Sequence, residues 1–237
     1  MFSGALIFGV WLAACSGIPV TTPKETGKDV PVDTSIEDIY STPHSDPISF
    51  IAFGDQGTGG TAQYTVAEAL GTWCSMHDCD FMVGLGDNFY PSGVSTVDDP
   101  KFQTVFEEPY ADLDFPFYLT LGNHDYVLEP DAQVAYTAHS DKWKMPARSY
   151  TFTKGEVFFA ALDTQGRGEE QRLDMIRAIE SSDARWKIAY GHHPLLTNGG
   201  HGNASGSRKD WLKSILCNRV DFFLAGHDHN LQHISDV

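Results

Sequence analysis

The chain has 237 residues, of which 41% are hydrophobic, which is enough for one folded domain or at most two small ones. Sixteen Lys and Arg residues stand against 32 Asp and Glu residues, so the formal net charge is −16. Because no basic stripe runs along the chain, we expect neither nucleic acid nor an anionic membrane surface as a partner. The 12% aromatic content also excludes a disordered acidic chain.

Residues 1–15 have the pattern of a lipoprotein-type signal peptide. The apolar run before Cys15 is too short to span a bilayer as a helix, which takes about 20 residues, and has the length of a signal-peptide core. It ends in Leu12-Ala13-Ala14-Cys15, which resembles a bacterial lipobox, where the cysteine becomes lipid-modified. The alternative is an ordinary secretory signal with a chance cysteine. We therefore expect an exported chain, either a lipoprotein anchored to a membrane or cell surface, or a periplasmic or secreted protein.

Residues 16–46 are predicted to be a flexible linker, because they are rich in proline and polar residues and show almost no apolar periodicity. The folded domain is then predicted to span residues 47–237. Of the cysteines in that domain, Cys74 and Cys79 are close enough to pair locally, and Cys217 would then need another partner. None of them has histidines at zinc-ligand spacing, so we expect no zinc site built on cysteine.

Five short apolar runs each lead to a glycine that is followed by a potential metal ligand. The runs cover residues 48–53, 81–85, 117–121, 186–190 and 222–225. Such near-continuous runs are typical of strands that are covered on both faces. The polar residues that follow the glycines are Asp55, Asp87, Asn123 with His124, His192, and His227 with His229.

Helical patterns lie between these runs and predict an α/β fold. The helices are predicted at residues 64–73, 169–181 and 208–218, and residues 149–162 are predicted to form a hairpin of two antiparallel strands. The second helix is expected to bury Leu173, Ile176 and Ile179. In sheets built from strand–helix–strand units, ligands gather at the carboxyl ends of the strands. The donors there are oxygens and imidazoles without thiolate, which suits iron, manganese or zinc, and they exceed what one ion needs.

These motifs resemble those of calcineurin-like metallophosphoesterases and, within that superfamily, of purple acid phosphatases of the tartrate-resistant type. The superfamily's usual first motif is Asp-x-His, whereas Gly54-Asp55-Gln56-Gly57 lacks the histidine. In Gly86-Asp87-Asn88-Phe89-Tyr90, Tyr90 matches the phenolate ligand that replaces this histidine in purple acid phosphatases. The resemblance covers the chain from about Ile48 onward and implies a four-layer αββα sandwich of two mixed sheets.

The resemblance implies a binuclear metal centre with seven ligands. The Fe(III) site would be formed by Asp55, Tyr90, His229 and the bridging Asp87. The site for a second, divalent ion (Fe, Zn or Mn) would be formed by Asp87, Asn123, His192 and His227. Two ions about 3.5–4 Å apart can activate a water and clamp the phosphoryl oxygens of a substrate.

The resemblance also implies two catalytic histidines. His124 matches the residue that contacts phosphate and helps to protonate the leaving group, and His201, nine residues after His192, matches a second substrate-contacting histidine. We expect Asp125 to orient His124, and we assign His193 no ligand role.

The predicted function is that of an exported binuclear-metal acid phosphatase that hydrolyses phosphomonoesters by metal-activated hydroxide attack. We expect a small phosphate ester as substrate, a monomer, and membrane contact only through the lipid anchor. The alternatives are a phosphodiesterase or nucleotidase on the same scaffold and an inactive lipid-anchored surface-binding fragment. In the resembling family further strands follow the Gly-His-x-His motif, whereas only residues 230–237 follow it here. We therefore expect the last strands to be missing and the chain to be less stable than a longer version.

Overall fold

The computed structural model describes residues 47–235. The predicted signal peptide at residues 1–15 and the predicted linker at residues 16–46 lie outside the described residues. Within the described part, no helix is both long enough and apolar enough to cross a membrane.

The first sheet contains four strands in the order β1-β2-β3-β4, and all of its pairings are parallel, so within residues 47–235 it is not mixed as predicted. The strands are β1 (Phe50–Phe53), β2 (Phe81–Gly84), β3 (Phe117–Leu119) and β4 (Trp143–Lys144). Helix α1 (Thr61–Met76) connects β1 to β2. Because β1, β2 and β3 run in one direction, their carboxyl ends meet at one edge, as the sequence predicts.

The second sheet is mixed and has the order β5-β6-β7-β8. The strands are β5 (Tyr150–Lys154), β6 (Val157–Leu162), β7 (Trp186–Gly191) and β8 (Phe222–Ala225). Strands β5 and β6 form the predicted antiparallel hairpin, and β6, β7 and β8 are parallel. Helix α3 (Glu169–Ser181) connects β6 to β7, and helix α4 (Gly206–Leu216) connects β7 to β8.

The alternation of side chains along β6 shows how the layers pack. Phe159 points to the first sheet, where its ring lies 5.4 Å from Phe81 and 5.2 Å from Phe50 between centroids. Phe158 and Leu162 point the other way, into the cluster that α3 and α4 form on the outer face. Apolar residues on both faces are what a strand needs when it lies between two layers. The result is the predicted four-layer arrangement of helices outside two sheets.

All three predicted helices form, with boundaries shifted by several residues in α1. Within α3 the buried residues are Met175 and Ile179, whereas Leu173 is 40% exposed, so the predicted stripe was wrong at Leu173. The sequence pattern did not predict β4, helix α2 (Pro130–Tyr136) or a π-helical turn (Phe102–Glu107). A short 3₁₀ turn (Asp125–Val127) follows the third motif.

A disulfide joins Cys74 at the end of α1 to Cys79 just before β2. The local pairing that the spacing allowed is therefore formed. Residues 47–235 contain no free cysteine.

Candidate metal centre

The candidate site lies where the two sheets present their carboxyl edges to each other. Three of its residues have backbone angles in the left-handed region: Asp55 (φ 57°), Asp87 (φ 53°) and His227 (φ 73°). Each of them directly follows the glycine that ends an apolar run. A non-glycine residue in this region costs about 1–3 kcal/mol, and such residues concentrate at functional sites. The sharp turn directs each side chain away from the strand and into the crevice.

Two glycines allow the motifs to approach one another closely. A Cβ atom at Gly122 would lie 2.1 Å from Asp87 Oδ1, and one at Gly226 would lie 2.6 Å from Asp55 Oδ2. Neither distance is compatible with a side chain. The glycines that the sequence places before each ligand are therefore needed for the contact between loops as well as for the turns.

The first group of donors is centred on the Tyr90 hydroxyl. Tyr90 Oη lies 2.9 Å from Asp87 Oδ2, 3.2 Å from Asp55 Oδ1 and 3.2 Å from His229 Nε2. His229 Nε2 is also 3.5 Å from Asp55 Oδ1. The four residues predicted for the Fe(III) site thus converge on one point.

The second group is centred on His192, which is fully buried. Its Nδ1–H donates to the carbonyl oxygen of Leu85 at 2.9 Å, so Nε2 carries the free lone pair. His192 Nε2 lies 3.0 Å from Asn123 Oδ1, 3.1 Å from His227 Nδ1 and 3.4 Å from Asp87 Oδ2. The residues predicted for the second ion therefore also converge.

Asp87 connects the two groups. Its Oδ2 atom contacts the Tyr90 hydroxyl on one side and the His192 imidazole on the other. Donors at about 2.0–2.2 Å from a metal ion, separated by tetrahedral or octahedral angles, lie about 3 Å from one another. The separations of 2.9–3.5 Å between donors in both groups fit this spacing.

The electrostatics of the donors also fit a cation site. Burial, reinforced by the charges of Asp55 and Asp87, raises the pKa of the Tyr90 hydroxyl well above its ordinary value. Burial likewise raises the pKa of Asp55, although His192 opposes the shift. Burial and the neighbouring His192 lower the pKa of His227 to about 4, which keeps the imidazole in the neutral form that binds metals. Anionic oxygens brought this close need a positive charge between them.

The two predicted catalytic histidines lie at the rim of this centre. His124 Nδ1–H donates to the Pro91 carbonyl oxygen at 2.7 Å, which leaves Nε2 facing the crevice, 4.0 Å from Asp87 Oδ2. His201 is exposed, and its ring is tilted against that of His227 with 4.1 Å between the centroids. Its backbone N–H donates to Asp228 Oδ1 at 3.0 Å, which ties the loop to the His227 motif.

The prediction that Asp125 orients the His124 ring is wrong. Asp125 is fully buried and its carboxylate accepts hydrogen bonds from the backbone of Asn88 and Gly122 and from the Gln133 side chain. It therefore joins the second and third ligand motifs to each other, while His124 is oriented by Pro91. Gln133 lies on α2, which the sequence pattern did not indicate, so no signal pointed to its role.

His193 is a buried neighbour of the centre. Its Nδ1 lies 2.8 Å from Thr164 Oγ1, and burial lowers the pKa of its imidazole to about 2, so the ring stays neutral. A ring nitrogen of His193 lies within 4.8 Å of ligand atoms of both His192 and His227. The doublet His192-His193 in the sequence was the available signal for this contact.

Comparison with known proteins identifies the class of protein. The sequence model of the calcineurin-like phosphoesterase family matches residues 48–231, and the chain therefore belongs to this family. Within the family, the chain is similar to purple acid phosphatases. It is 33% identical over 215 residues to purple acid phosphatase 7 of Arabidopsis thaliana, a match that covers 79% of this chain and 66% of the relative.

Two further relatives show the same pattern. The chain is 32% identical to purple acid phosphatase 4 of Arabidopsis thaliana, covering 86% of this chain and 69% of that one. It is 29% identical to tartrate-resistant acid phosphatase type 5 of Oryctolagus cuniculus, covering 80% and 69%. The chain thus spans about two thirds of the length of these relatives.

Solved structures share the fold at lower sequence identity. GAP50, described as the anchor in the inner membrane complex of Plasmodium, has a TM-score of 0.66 at 24% identity, over 77% of this chain and 66% of that one. A dimetal phosphatase from Danio rerio has a TM-score of 0.59 at 15% identity, over 78% and 82%.

Proposed function

We propose that the chain is an exported acid phosphatase with a binuclear metal centre that hydrolyses phosphomonoesters. The observation that carries the proposal is the position of Asp87 Oδ2 between the Tyr90 group and the His192 group, as a carboxylate that bridges two ions requires. The relatedness to purple acid phosphatases supports the same reading.

The donor chemistry of the two groups favours different ions. A phenolate and two carboxylates around Tyr90 favour a hard trivalent ion, for which we propose Fe(III). An amide oxygen and two imidazoles around His192 suit a divalent ion such as Fe, Zn or Mn. When bound, the ions supply positive charge to the phosphoryl oxygens and lower the pKa of water.

His124 is placed to handle the proton of the leaving group. Because a carbonyl oxygen only accepts, the Pro91 contact requires the proton on Nδ1, and the second proton of the imidazolium is then on Nε2 toward the crevice. That Nε2–H can be donated to the departing alcohol oxygen. We therefore propose an acid optimum, because this donation requires the imidazole in its protonated form.

Metal analysis and a visible spectrum on one purified sample test the assignment of Tyr90. We expect iron together with a phenolate-to-iron absorption band, which Tyr90→Phe removes. Tyr64→Phe is the matched control, since Tyr64 lies on α1 and is 42% exposed. Iron without any such band in the unsubstituted protein would refute the purple-phosphatase assignment.

Parallel assays decide the substrate class. We expect hydrolysis of para-nitrophenyl phosphate and much slower hydrolysis of bis-para-nitrophenyl phosphate. The reverse preference would support a phosphodiesterase, and hydrolysis of neither by metal-loaded protein would support a binding protein. For export, Cys15→Ala should release the protein from the membrane fraction if Cys15 carries a lipid.

A further inference from the structure

Within residues 47–235, two arginines differ from all the others because they form no ion pair with a carboxylate. Five arginines form ion pairs with carboxylates: Arg148, Arg172, Arg177, Arg185 and Arg219. Arg167 and Arg208 form none with any carboxylate in residues 47–235. In a chain with a net charge of −16, acidic groups are plentiful, so two arginines without one are exceptional.

These two arginines lie next to each other. Arg167 precedes α3, and its Nη1 donates to Ser207 Oγ at 3.3 Å, while Arg208 is in the first turn of α4 and its Nη2 donates to Gln165 Oε1 at 3.4 Å. Arg167 thus contacts the residue before Arg208, and Arg208 contacts a residue two positions before Arg167. Burial and the charge of Arg167 lower the pKa of the Arg208 guanidinium, which is the effect of like charges held close together.

Each of the two guanidinium groups also has an unused donor. The Nε atoms of Arg167 and Arg208 are buried and have no hydrogen-bond partner. A buried N–H without an acceptor is costly, and more so on a charged group. In addition, Arg208 stands at the N-terminus of α4, where the helix dipole repels a cation, and Ser205 provides no side-chain cap. The arrangement lacks a negatively charged acceptor.

The pair is close to the metal centre. Thr164 Oγ1 lies 2.8 Å from His193 Nδ1, and the residue after Thr164, Gln165, accepts the hydrogen bond from Arg208 Nη2. The His193 ring in turn lies 4.6 Å from the His227 ring and 4.9 Å from the His192 ring between centroids. Arg167 follows β6, which pairs in parallel with β7, the strand that ends at His192. The arginines therefore flank the half of the centre formed by His192 and His227.

We propose that Arg167 and Arg208 form an anion subsite that holds a second phosphate group of the substrate while the first lies at the metal centre. The inference rests on the proposed phosphatase function and narrows its substrate class to phosphate compounds that carry two phosphates. The second phosphate can belong to a bisphosphate ester or to a diphosphate. Guanidinium groups bind phosphate through paired, charge-assisted hydrogen bonds, and neither of these two groups is neutralised by a carboxylate within residues 47–235.

Matched substrates test the subsite. Kinetics on metal-loaded protein compare fructose 6-phosphate with fructose 1,6-bisphosphate, and a separate assay measures hydrolysis of inorganic diphosphate. We expect the unsubstituted protein to prefer at least one doubly phosphorylated compound. Arg208→Gln and Arg167→Gln should each reduce kcat/KM for that compound by about 10- to 100-fold, the value of a hydrogen bond to a charged group, and leave fructose 6-phosphate within about twofold.

Arg185→Gln is the control, because it removes the same charge at the opposite end of β7, where Arg185 pairs with Glu156 on the surface. It should leave all the rates unchanged. Calorimetric titration provides a readout independent of turnover: inorganic diphosphate should bind more tightly than inorganic phosphate, and the two variants should abolish the difference.

The possible results separate the two proposals. If fructose 6-phosphate and para-nitrophenyl phosphate are not hydrolysed, the proposed function fails, and the titration alone then decides the subsite. If they are hydrolysed but the arginine variants change single and double phosphates equally, or only lower the melting temperature, the subsite is refuted and the phosphatase stands. If the arginine variants lose kcat/KM only for the bisphosphate, the second phosphate of the substrate is an ester. If they lose it only for diphosphate, the second phosphate is part of an anhydride.

Discussion

Gly122→Ala is the substitution whose effect the structure defines most sharply. The added Cβ would lie 2.1 Å from Asp87 Oδ1, 2.3 Å from Asp87 N and 2.7 Å from Asp87 Cγ. Two of these atoms belong to the carboxylate that connects the two donor groups, and the third belongs to its backbone. No flexible side chain can yield to relieve the overlap.

The size of the overlap decides which property is lost. A Cβ needs at least about 3 Å, so either the Asp87 carboxylate or the Gly122 loop must shift by about 1 Å. Metal–ligand distances tolerate about 0.2 Å, so the bridging oxygen would leave its position entirely. Overpacking of a buried site costs about 1–3 kcal/mol of folding free energy, which an otherwise intact domain can survive. We expect a folded protein that binds fewer metal ions.

The assay measures metal content and the free energy of unfolding on the same preparations, with and without chelator. Gly71→Ala is the matched control, because its Cβ meets only Leu113 Cδ2 at an ordinary 3.7 Å within α1. Alanine there should be neutral or stabilising by up to about 1 kcal/mol. A Gly122→Ala protein that retains two metal ions and wild-type activity would refute the reasoning, because it would show that Asp87 need not lie where the structure places it.

Three further outcomes are expected. Gln133→Leu should lower the free energy of unfolding by about 2–4 kcal/mol in denaturant titration, because it removes a hydrogen bond to the fully buried Asp125 carboxylate. Replacing Cys74 and Cys79 with serine should cost about 2 kcal/mol, the chain-entropy value for so short a loop; no loss would contradict that account. The pKa of His193 is lowered to about 2 in the folded protein. The unfolded protein therefore binds a proton at this residue at a higher pH than the folded protein does, and the free energy of unfolding falls as the pH drops below about 6.5. In metal-free protein, the melting temperature of His193→Gln should therefore fall less between pH 7.5 and 5 than that of the unsubstituted protein. An equal fall in both proteins would show that His193 is not the cause of the pH dependence.

The ligand motifs were predictable because each one is local. A short apolar run, a glycine and a polar residue are read from consecutive positions, and parallel strands bring their carboxyl ends together without further information. Asp55, Asp87 and His192 converge for that reason. The resemblance to purple acid phosphatases, marked by Tyr90 in place of the missing histidine of the first motif, then implied which donors share a group.

What the sequence did not indicate depends on contacts between distant segments. Strand β4 has two residues and helix α2 has seven, which is too short for periodicity to be recognised. Gln133 has a role only because α2 packs beside the second motif, and Arg167 becomes a neighbour of Arg208 only when α3 and α4 align. The role of Asp125 was mispredicted because adjacency to His124 in sequence suggested a contact, whereas the backbone turn directs the two side chains apart.

The contacts of Asp125 bear on how the site works. Its carboxylate joins Asn88 to Gly122, while the backbone N–H of His124 donates to Asp87 Oδ1 at 2.9 Å. The carboxylate that connects the two donor groups and the histidine proposed to handle the leaving-group proton therefore belong to one hydrogen-bonded unit. A shift of Asp87 moves His124 with it, so a substitution that loosens the unit should reduce metal affinity and proton transfer together. Substitutions at the exposed His201, which contacts the His227 side of the centre instead, should change substrate handling without releasing the metal ions.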